Sequence, residues 1–106
     1  MLTEAMEKKC LEIARYYGFD AQTNQLIEEC AELIQAINKY KRQFLRGQPT
    51  GFRPGMLEPR EQIVEEIADV EVMLCQMKYL LGIEQEEIDR VKERKIERTF
   101  ERMGET

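Results

Sequence analysis

Histidine is absent from the 106-residue chain, and cysteine occurs only three times. Without histidine the chain cannot build zinc sites with imidazole ligands, nor the Glu-x-x-His motif of di-iron helical bundles. Cys10, Cys30 and Cys75 are odd in number and show no paired spacing, which argues against a disulfide framework or a cysteine zinc site. We interpret them as small buried residues in a reducing compartment.

Long apolar runs are also missing, and so is an excess of positive charge. No segment has the roughly 20 consecutive apolar residues that cross a bilayer, and no signal peptide is evident. We therefore expect a cytoplasmic protein with no membrane partner. The formal net charge of −5 argues against nucleic acid as a partner, because proteins that bind it present basic patches. The length predicts one domain, residues 1–106, with a modest core.

Apolar residues recur at helical spacing along most of the chain and predict an all-α fold. The first predicted helix, Leu2 to Tyr17, ends before Gly18, and the second runs from about Asp20 to about Arg46. The following loop, Gly47 to Pro59, contains all three prolines, so neither neighbouring helix can extend through it.

Two more helices are predicted after this loop. The third runs from about Glu58 to Leu81 and stops at Gly82, and the fourth extends to about Met103. Acids at the start of the fourth helix favour its positive end. We expect a four-helix bundle in which the long second and third helices form an antiparallel hairpin.

A near-repeat that places acids inside an apolar helical stripe is the most informative feature of the chain. Its two copies are residues 26–33, LIEECAEL, and residues 63–70, IVEEIADV. Residues three positions apart share one face of a helix, so Glu29 pairs with Glu32, and Glu66 with Asp69. In an antiparallel hairpin these pairs can face each other. Two carboxylates about 5 Å apart repel by roughly 3 kcal/mol at an effective dielectric of about 20, so the arrangement needs a counter-ion.

A divalent cation is the counter-ion that this ligand chemistry favours. All-oxygen ligation suits Mg²⁺, Mn²⁺ or Ca²⁺, and Mg²⁺ usually keeps several waters and is completed by substrate phosphates. An acidic pocket with few protein ligands therefore points to phosphate chemistry. The alternative is an ordinary solvated acidic face, which we favour for Glu28 and Glu65 because both fall on the polar side of their helices.

The pattern Glu28-Glu29-x-x-Glu32, followed after a loop by Glu66-x-x-Asp69, resembles the signature of the all-α nucleoside triphosphate pyrophosphohydrolases, the MazG-like superfamily. The resemblance covers the chain from about residue 20 to residue 103. It implies Mg²⁺-dependent hydrolysis of a ribo- or deoxyribonucleoside triphosphate to the monophosphate and pyrophosphate, with Mn²⁺ able to substitute. It also implies that Glu29, Glu32, Glu66 and Asp69 bind the metal. We assign Glu28 as a candidate general base that orients or deprotonates the attacking water.

Basic residues on the fourth predicted helix are candidate phosphate ligands. Similar family members carry a lysine, an asparagine four positions later and a basic residue three further on. The matching positions here are Lys95, Thr99 and Arg102, so Thr99 departs from the common asparagine. We predict that the triphosphate is bound by Lys92, Lys95, Arg98 and Arg102. The alternative is that these cations form ion pairs with neighbouring acids or lay their stems along apolar surface.

The loop between the second and third predicted helices carries an aromatic and a basic residue at its centre, Phe52 and Arg53. Loops of about a dozen residues inside compact domains are often functional. We predict that Phe52 contacts the base and Arg53 a phosphate of the nucleotide. An ordinary connector with Phe52 packed on a helix is the alternative.

Other functions and an assembly also fit the sequence. The acid pattern resembles that of phosphoribosyl-ATP pyrophosphohydrolase as well, and the apolar stripes fit equally a non-catalytic helical oligomerisation or adaptor module. Ile27, Ile34 and Asn38 widen the stripe of the second helix beyond what one partner helix needs, so we expect a second subunit. The resemblance implies a homodimer or homotetramer.

Overall fold

Three α-helices make up most of the structure, a computed structural model that describes residues 2–43 and 50–105. They are α1, Glu4–Gln43, α2, Leu57–Leu81, and α3, Gln85–Gly104, with a short 3₁₀ helix, Pro54–Met56, before α2. No strand occurs among the described residues. The prediction of an all-α fold is confirmed.

Gly18 divides α1 into two arms. Its φ of 86° and ψ of 174° lie in a region that is open almost only to glycine. A straight helix of 40 residues would be about 60 Å long, whereas the longest dimension of the chain is 45 Å, so the chain bends at this point. The predicted boundary between the first and second helices coincides with this break at Gly18. With the two arms counted as one element, the described residues form three α-helices, and the predicted count of four is not confirmed.

The helix after the loop begins slightly earlier than predicted. Because α2 begins at Leu57, Pro59 lies in its first turn, where a missing backbone N–H costs no intrahelical hydrogen bond. The predicted end of the second helix near Arg46 lies outside the described residues.

The connection between α2 and α3 is a tight turn at Gly82. This glycine adopts the left-handed conformation, with φ 65°. Its N–H donates to the carbonyl oxygen of Tyr79 at 3.2 Å, and the N–H of Ile83 donates to that of Lys78 at 2.8 Å. These two hydrogen bonds form a Schellman motif, which ends a helix sharply. The third helix of the chain then begins with a capping box at Glu84.

Helices α1 and α2 pack against each other in antiparallel register. Gln22 hydrogen-bonds to Gln76, whereas Glu29, two turns further along α1, lies near Glu66, which precedes Gln76 in α2. Partner positions thus run backwards along α2 as the chain advances along α1. The predicted hairpin of two long antiparallel helices is confirmed.

Few side chains of the described residues are buried, and most of them lie in the seam between α1 and α2. They are Cys10, Ala14, Gln22, Tyr40, Met56, Met73, Cys75 and Gln76. All three cysteines are free thiols, and Cys30 is half-buried. The radius of gyration is 17.0 Å, compared with about 13 Å for a compact domain of about 100 residues. A single copy is therefore more extended than a compact domain of its length.

Helix α3 packs along neither α1 nor α2. None of its residues is buried. Its apolar side chains face outward, and Ile96 and Phe100 are each 68% exposed. A helix with an apolar stripe normally buries that stripe against another element, which α3 does not do within one chain.

Candidate functional site

Three carboxylates converge in the seam of the hairpin. Glu29 comes from α1, and Glu66 and Asp69 come from one face of α2, one turn apart. One carboxylate oxygen from each lies within 4.8 Å of the other two. Glu29 and Glu66 are half-buried and Asp69 is exposed at the edge. The hairpin thus brings together three of the four acids that the sequence selected.

We call Glu29, Glu66 and Asp69 the acidic cluster. Two of its oxygen atoms are buried without a hydrogen-bond partner among the described residues. They are Oε2 of Glu29 and Oε2 of Glu66, and neither accepts a hydrogen bond from the described residues. The other oxygen of Glu29 is satisfied, because Gln25 Nε2 donates to Glu29 Oε1 at 2.7 Å. Buried charged oxygens without partners are costly, so the cluster has an unmet need for a positive ligand.

The electrostatics of the acidic cluster also favour a bound cation. Partial desolvation, and secondly the negative charge of Glu29, raise the pKa of Asp69 above its ordinary 3.8. The ion pairs Arg60–Glu61, at 3.5 Å, and Lys92–Asp89, at 3.9 Å, both lie elsewhere. Like charges at such separations repel by roughly 3 kcal/mol per pair before solvent screening. A cation bound between the three carboxylates would remove this repulsion.

The fourth predicted metal ligand, Glu32, is not part of the cluster. Its side chain is exposed, one turn further along α1 than Glu29. The candidate base Glu28 is also exposed, beside Glu29 in sequence. Both therefore face solvent rather than the seam.

The predicted phosphate ligands on α3 lie apart from the acidic cluster. The four side chains are exposed on a helix that packs along neither α1 nor α2, and they are Lys92, Lys95, Arg98 and Arg102. Thr99, at the position of the common asparagine, donates its hydroxyl to the carbonyl oxygen of Lys95 at 3.0 Å. Within one chain, the cations and the acids are not brought together.

The loop residues sit at the far end of the hairpin. Phe52 is 59% exposed and Arg53 is half-buried. The buried Tyr40 of α1 donates its hydroxyl to the carbonyl oxygen of Gly51 at 2.5 Å. This bond fixes the start of the described part of the loop against α1.

Two contacts near the cluster were not anticipated from the sequence. One is the hydrogen bond from Gln25 to Glu29, and the other is the buried amide pair Gln22–Gln76, at 2.6 Å. A glutamine four residues before an acid lies on the same helical face, so the first contact could have been found from spacing alone. The amide pair requires the register between α1 and α2, which spacing within one helix does not give.

Comparison with known families settles what kind of domain carries this cluster. Residues 18–103 match the MazG nucleotide pyrophosphohydrolase domain. The chain belongs to this family. Its MazG domain starts at the kink residue Gly18 and includes the acidic cluster and most of α3, so the resemblance seen in the acid pattern is confirmed. The chain matches no curated protein and no solved structure.

The chemistry of the donor set agrees with membership of the MazG family, whose enzymes generally use a divalent metal. Carboxylate oxygens are the ligands that Mg²⁺, Mn²⁺ and Ca²⁺ take, and the absence of histidine from the sequence leaves no imidazole to select another metal. Among the described residues, no helix is both long and apolar enough to span a membrane.

Proposed function

We propose that this MazG-family protein hydrolyses a ribo- or deoxyribonucleoside triphosphate to the monophosphate and pyrophosphate in the presence of Mg²⁺, with Mn²⁺ as a substitute. The observation that carries the proposal is the pair of buried, unpartnered carboxylate oxygens on Glu29 and Glu66. A buried carboxylate with only a structural role normally forms a hydrogen bond or an ion pair. Acids left bare on facing helices instead suit a ligand that arrives from outside the protein.

Glu29, Glu66 and Asp69 would hold the ion from the two sides of the seam. Three carboxylates are fewer ligands than Mg²⁺ takes, so water and phosphate oxygens would complete its coordination. When bound, such an ion would supply neutralising charge at the phosphates and lower the pKa of a water molecule. Glu32 is exposed outside the cluster, so we propose that it joins the metal site only if its side chain rotates toward the seam when ion and substrate bind.

Glu28 is the side chain that we assign to proton transfer. It is exposed next to Glu29, so solvent can reach it while its neighbour lies in the seam. A carboxylate in that position accepts a proton from the attacking water without giving up a metal ligand. The phosphorus–oxygen bond to the leaving pyrophosphate breaks as the new bond to the water oxygen forms.

A second copy of the chain would complete both the core and the phosphate site. Helix α3 exposes an apolar face that includes Ile96 and Phe100, and it carries Lys95 and Arg102 at a distance from the acidic cluster of its own chain. Docking of α3 on another subunit would bury this face and supply the cations, with Lys92 and Arg98, to a triphosphate. We propose a homodimer or a homotetramer. Three free thiols suit a cytoplasmic setting.

The loop residues Phe52 and Arg53 are proposed to contact the nucleotide at the far end of the hairpin. Phe52 exposes enough of its ring to stack on a base. Substitution of both by alanine should raise KM for nucleotides. Phe52→Ala alone should leave the unfolding temperature within about 2 °C, since Phe52 is exposed and exposed positions contribute little to stability. An unchanged KM for every nucleotide would remove the loop from the site.

The experiment that tests the function is a substrate panel read by phosphorus NMR. Ribo- and deoxyribonucleoside triphosphates and phosphoribosyl-ATP are each incubated with protein and Mg²⁺, and pyrophosphate is distinguished from orthophosphate. We expect pyrophosphate release that stops with EDTA and with Glu66→Gln, while the neighbouring exposed control Glu65→Gln retains activity. Orthophosphate release, or full activity of Glu66→Gln, would contradict the proposal.

Calorimetry separates the enzyme from a helical adaptor. The hydrolase should bind a non-hydrolysable nucleoside triphosphate in Mg²⁺ and lose that binding in EDTA. An adaptor should bind no nucleotide under either condition.

A further inference from the structure

Gln25 links its neutral side chain to the acidic cluster through a hydrogen bond. It lies one turn before Glu29 on the same face of α1, and its side-chain amide donates to Glu29 Oε1 at 2.7 Å. Both side chains are half-buried. This contact distinguishes the two oxygens of Glu29, because Oε1 accepts from the amide whereas Oε2 is buried without a hydrogen-bond partner among the described residues.

The bond opposes the electrostatic forces on Glu29. A free glutamate side chain rotates about three bonds, and repulsion from Glu66 and Asp69 drives the carboxylate away from the seam in the absence of a cation. A hydrogen bond to one oxygen restrains that rotation and keeps the carboxylate group within reach of the other two.

The chemical type of the donor matters as much as its position. A lysine or arginine at residue 25 would also hold Glu29, but its charge would neutralise the carboxylate and compete with a metal ion. An amide donates without carrying charge, so it leaves the negative potential of the cluster intact. It also occupies Oε1, which favours ligation of an ion through Oε2 alone.

We propose that Gln25 is a positioning residue that preorganises Glu29 as a monodentate metal ligand through Oε2. This inference rests on the proposed function, since it assumes that the acidic cluster binds a divalent cation. Partners of this kind around metal ligands typically change metal affinity by about 10- to 100-fold when they are removed.

The test is direct titration with Mn²⁺ in the absence of nucleotide, read by the electron paramagnetic resonance signal of the free ion. Gln25→Met keeps the length of the side chain but removes the donor. Gln25→Asn keeps the amide but shortens its reach, and it serves as a second variant if the first does not fold. The control is Gln35→Met, at an exposed position further along the same helix.

We expect the Kd for Mn²⁺ to rise about 10- to 100-fold in both Gln25 variants and to stay within about twofold in the control. The unfolding midpoint in EDTA should be the same in all three variants and the unsubstituted protein. Unchanged Mn²⁺ affinity in the Gln25 variants would overturn the proposal. A lower midpoint in EDTA that parallels the loss of affinity would also overturn it, because it would show a general structural role.

Failure of the proposed function gives a different result. If the unsubstituted protein binds no Mn²⁺, the metal centre itself is wrong and the role of Gln25 falls with it. If the unsubstituted protein binds Mn²⁺ and the Gln25 variants bind it equally well, only the role of Gln25 is wrong.

Discussion

Replacing Glu66 by glutamine should stabilise the protein without metal and abolish its stabilisation by Mg²⁺. In the absence of a cation, Glu66 and Glu29 hold like charges within 4.8 Å of each other. Coulomb's law gives about 3 kcal/mol for this separation at an effective dielectric of 20. Both side chains are half exposed, so screening by solvent lowers the expected gain to about 1–2 kcal/mol.

This gain is large enough to measure by thermal unfolding. For a chain of this length, 1 kcal/mol shifts the unfolding temperature by about 4–5 °C, so Glu66→Gln in EDTA should unfold at least about 4 °C above the unsubstituted protein. The new amide can also donate to the bare Oε2 of Glu29, which adds to the effect. Most substitutions of half-buried residues destabilise, so a rise is a distinctive outcome.

Addition of Mg²⁺ should reverse the order of the two proteins. At a concentration 100 times Kd, a ligand that binds only the folded state stabilises it by about 2.7 kcal/mol, and Glu66→Gln should lose most of this increment. The control is Glu65→Gln, which removes an exposed charge from the next position and should keep the response to Mg²⁺. Protein concentration must be equal throughout, because assembly also shifts the unfolding temperature. If Glu66→Gln is no more stable in EDTA, or responds to Mg²⁺ as the unsubstituted protein does, the charge-repulsion account of the cluster is refuted.

Four further perturbations test other parts of the structure. Because the pKa of Asp69 is raised, the metal-free folded state binds a proton at this carboxylate more tightly than the unfolded state does. The stabilising contribution of that proton is present below pH 3.8 and is lost as pH rises through the folded pKa. Asp69→Asn should remove this part of the pH dependence measured by urea unfolding in EDTA. Gln22→Leu should cost about 1–3 kcal/mol because it leaves the amide oxygen of Gln76 buried without a donor, and Gln22→Leu/Gln76→Leu should recover part of the loss in the same assay. Gly82→Ala should cost about 1 kcal/mol in denaturant unfolding, since a Cβ there meets no atom within 4 Å and the penalty comes from the positive φ alone. Phe100→Asp should lower the mass measured by light scattering if α3 docks on a second subunit, and an unchanged mass would exclude this face from the interface.

Periodicity predicted the hairpin and the convergence of most of its acids, but it could not supply the register. Spacing within a helix shows that Glu29 and Glu32 share a face, as do Glu66 and Asp69. The antiparallel register of the Gln22–Gln76 pair puts Glu29 level with Asp69 and Glu32 level with Glu66. Glu32 is nevertheless exposed, so its level along α1 did not predict whether its side chain enters the seam.

The last helix shows a second limit of the sequence. Its repeated apolar positions predict an amphipathic helix, and α3 has that form. Periodicity does not identify what covers the apolar face, because the pattern is the same for a neighbour in the chain and for another subunit. The roles of Lys95 and Arg102 remain predictions for the same reason.

Gly18 was easier to anticipate than its consequence. A glycine between two periodic segments predicts an interruption, and the structure places one there. Whether the helical hydrogen-bond pattern resumes at once, as in α1, depends on how the arm before Gly18 packs on α2. Arg15 Nε donates to the Tyr79 hydroxyl at 2.7 Å in that packing, a contact between residues far apart in the chain.

The hydrogen-bonded amide pair Gln22–Gln76 fixes the register between the two long helices. A purely aliphatic seam is nearly as well satisfied after α1 slides by one turn, but such a slide of about 5.4 Å would separate Glu29 from Glu66. It would also leave the side-chain amides of Gln22 and Gln76 buried without hydrogen bonds, since Gln76 is only 1% exposed. Aliphatic side chains would not incur this free-energy cost. Two uncharged side chains outside the acidic cluster, two helical turns from Glu29, thus maintain the alignment of the carboxylates.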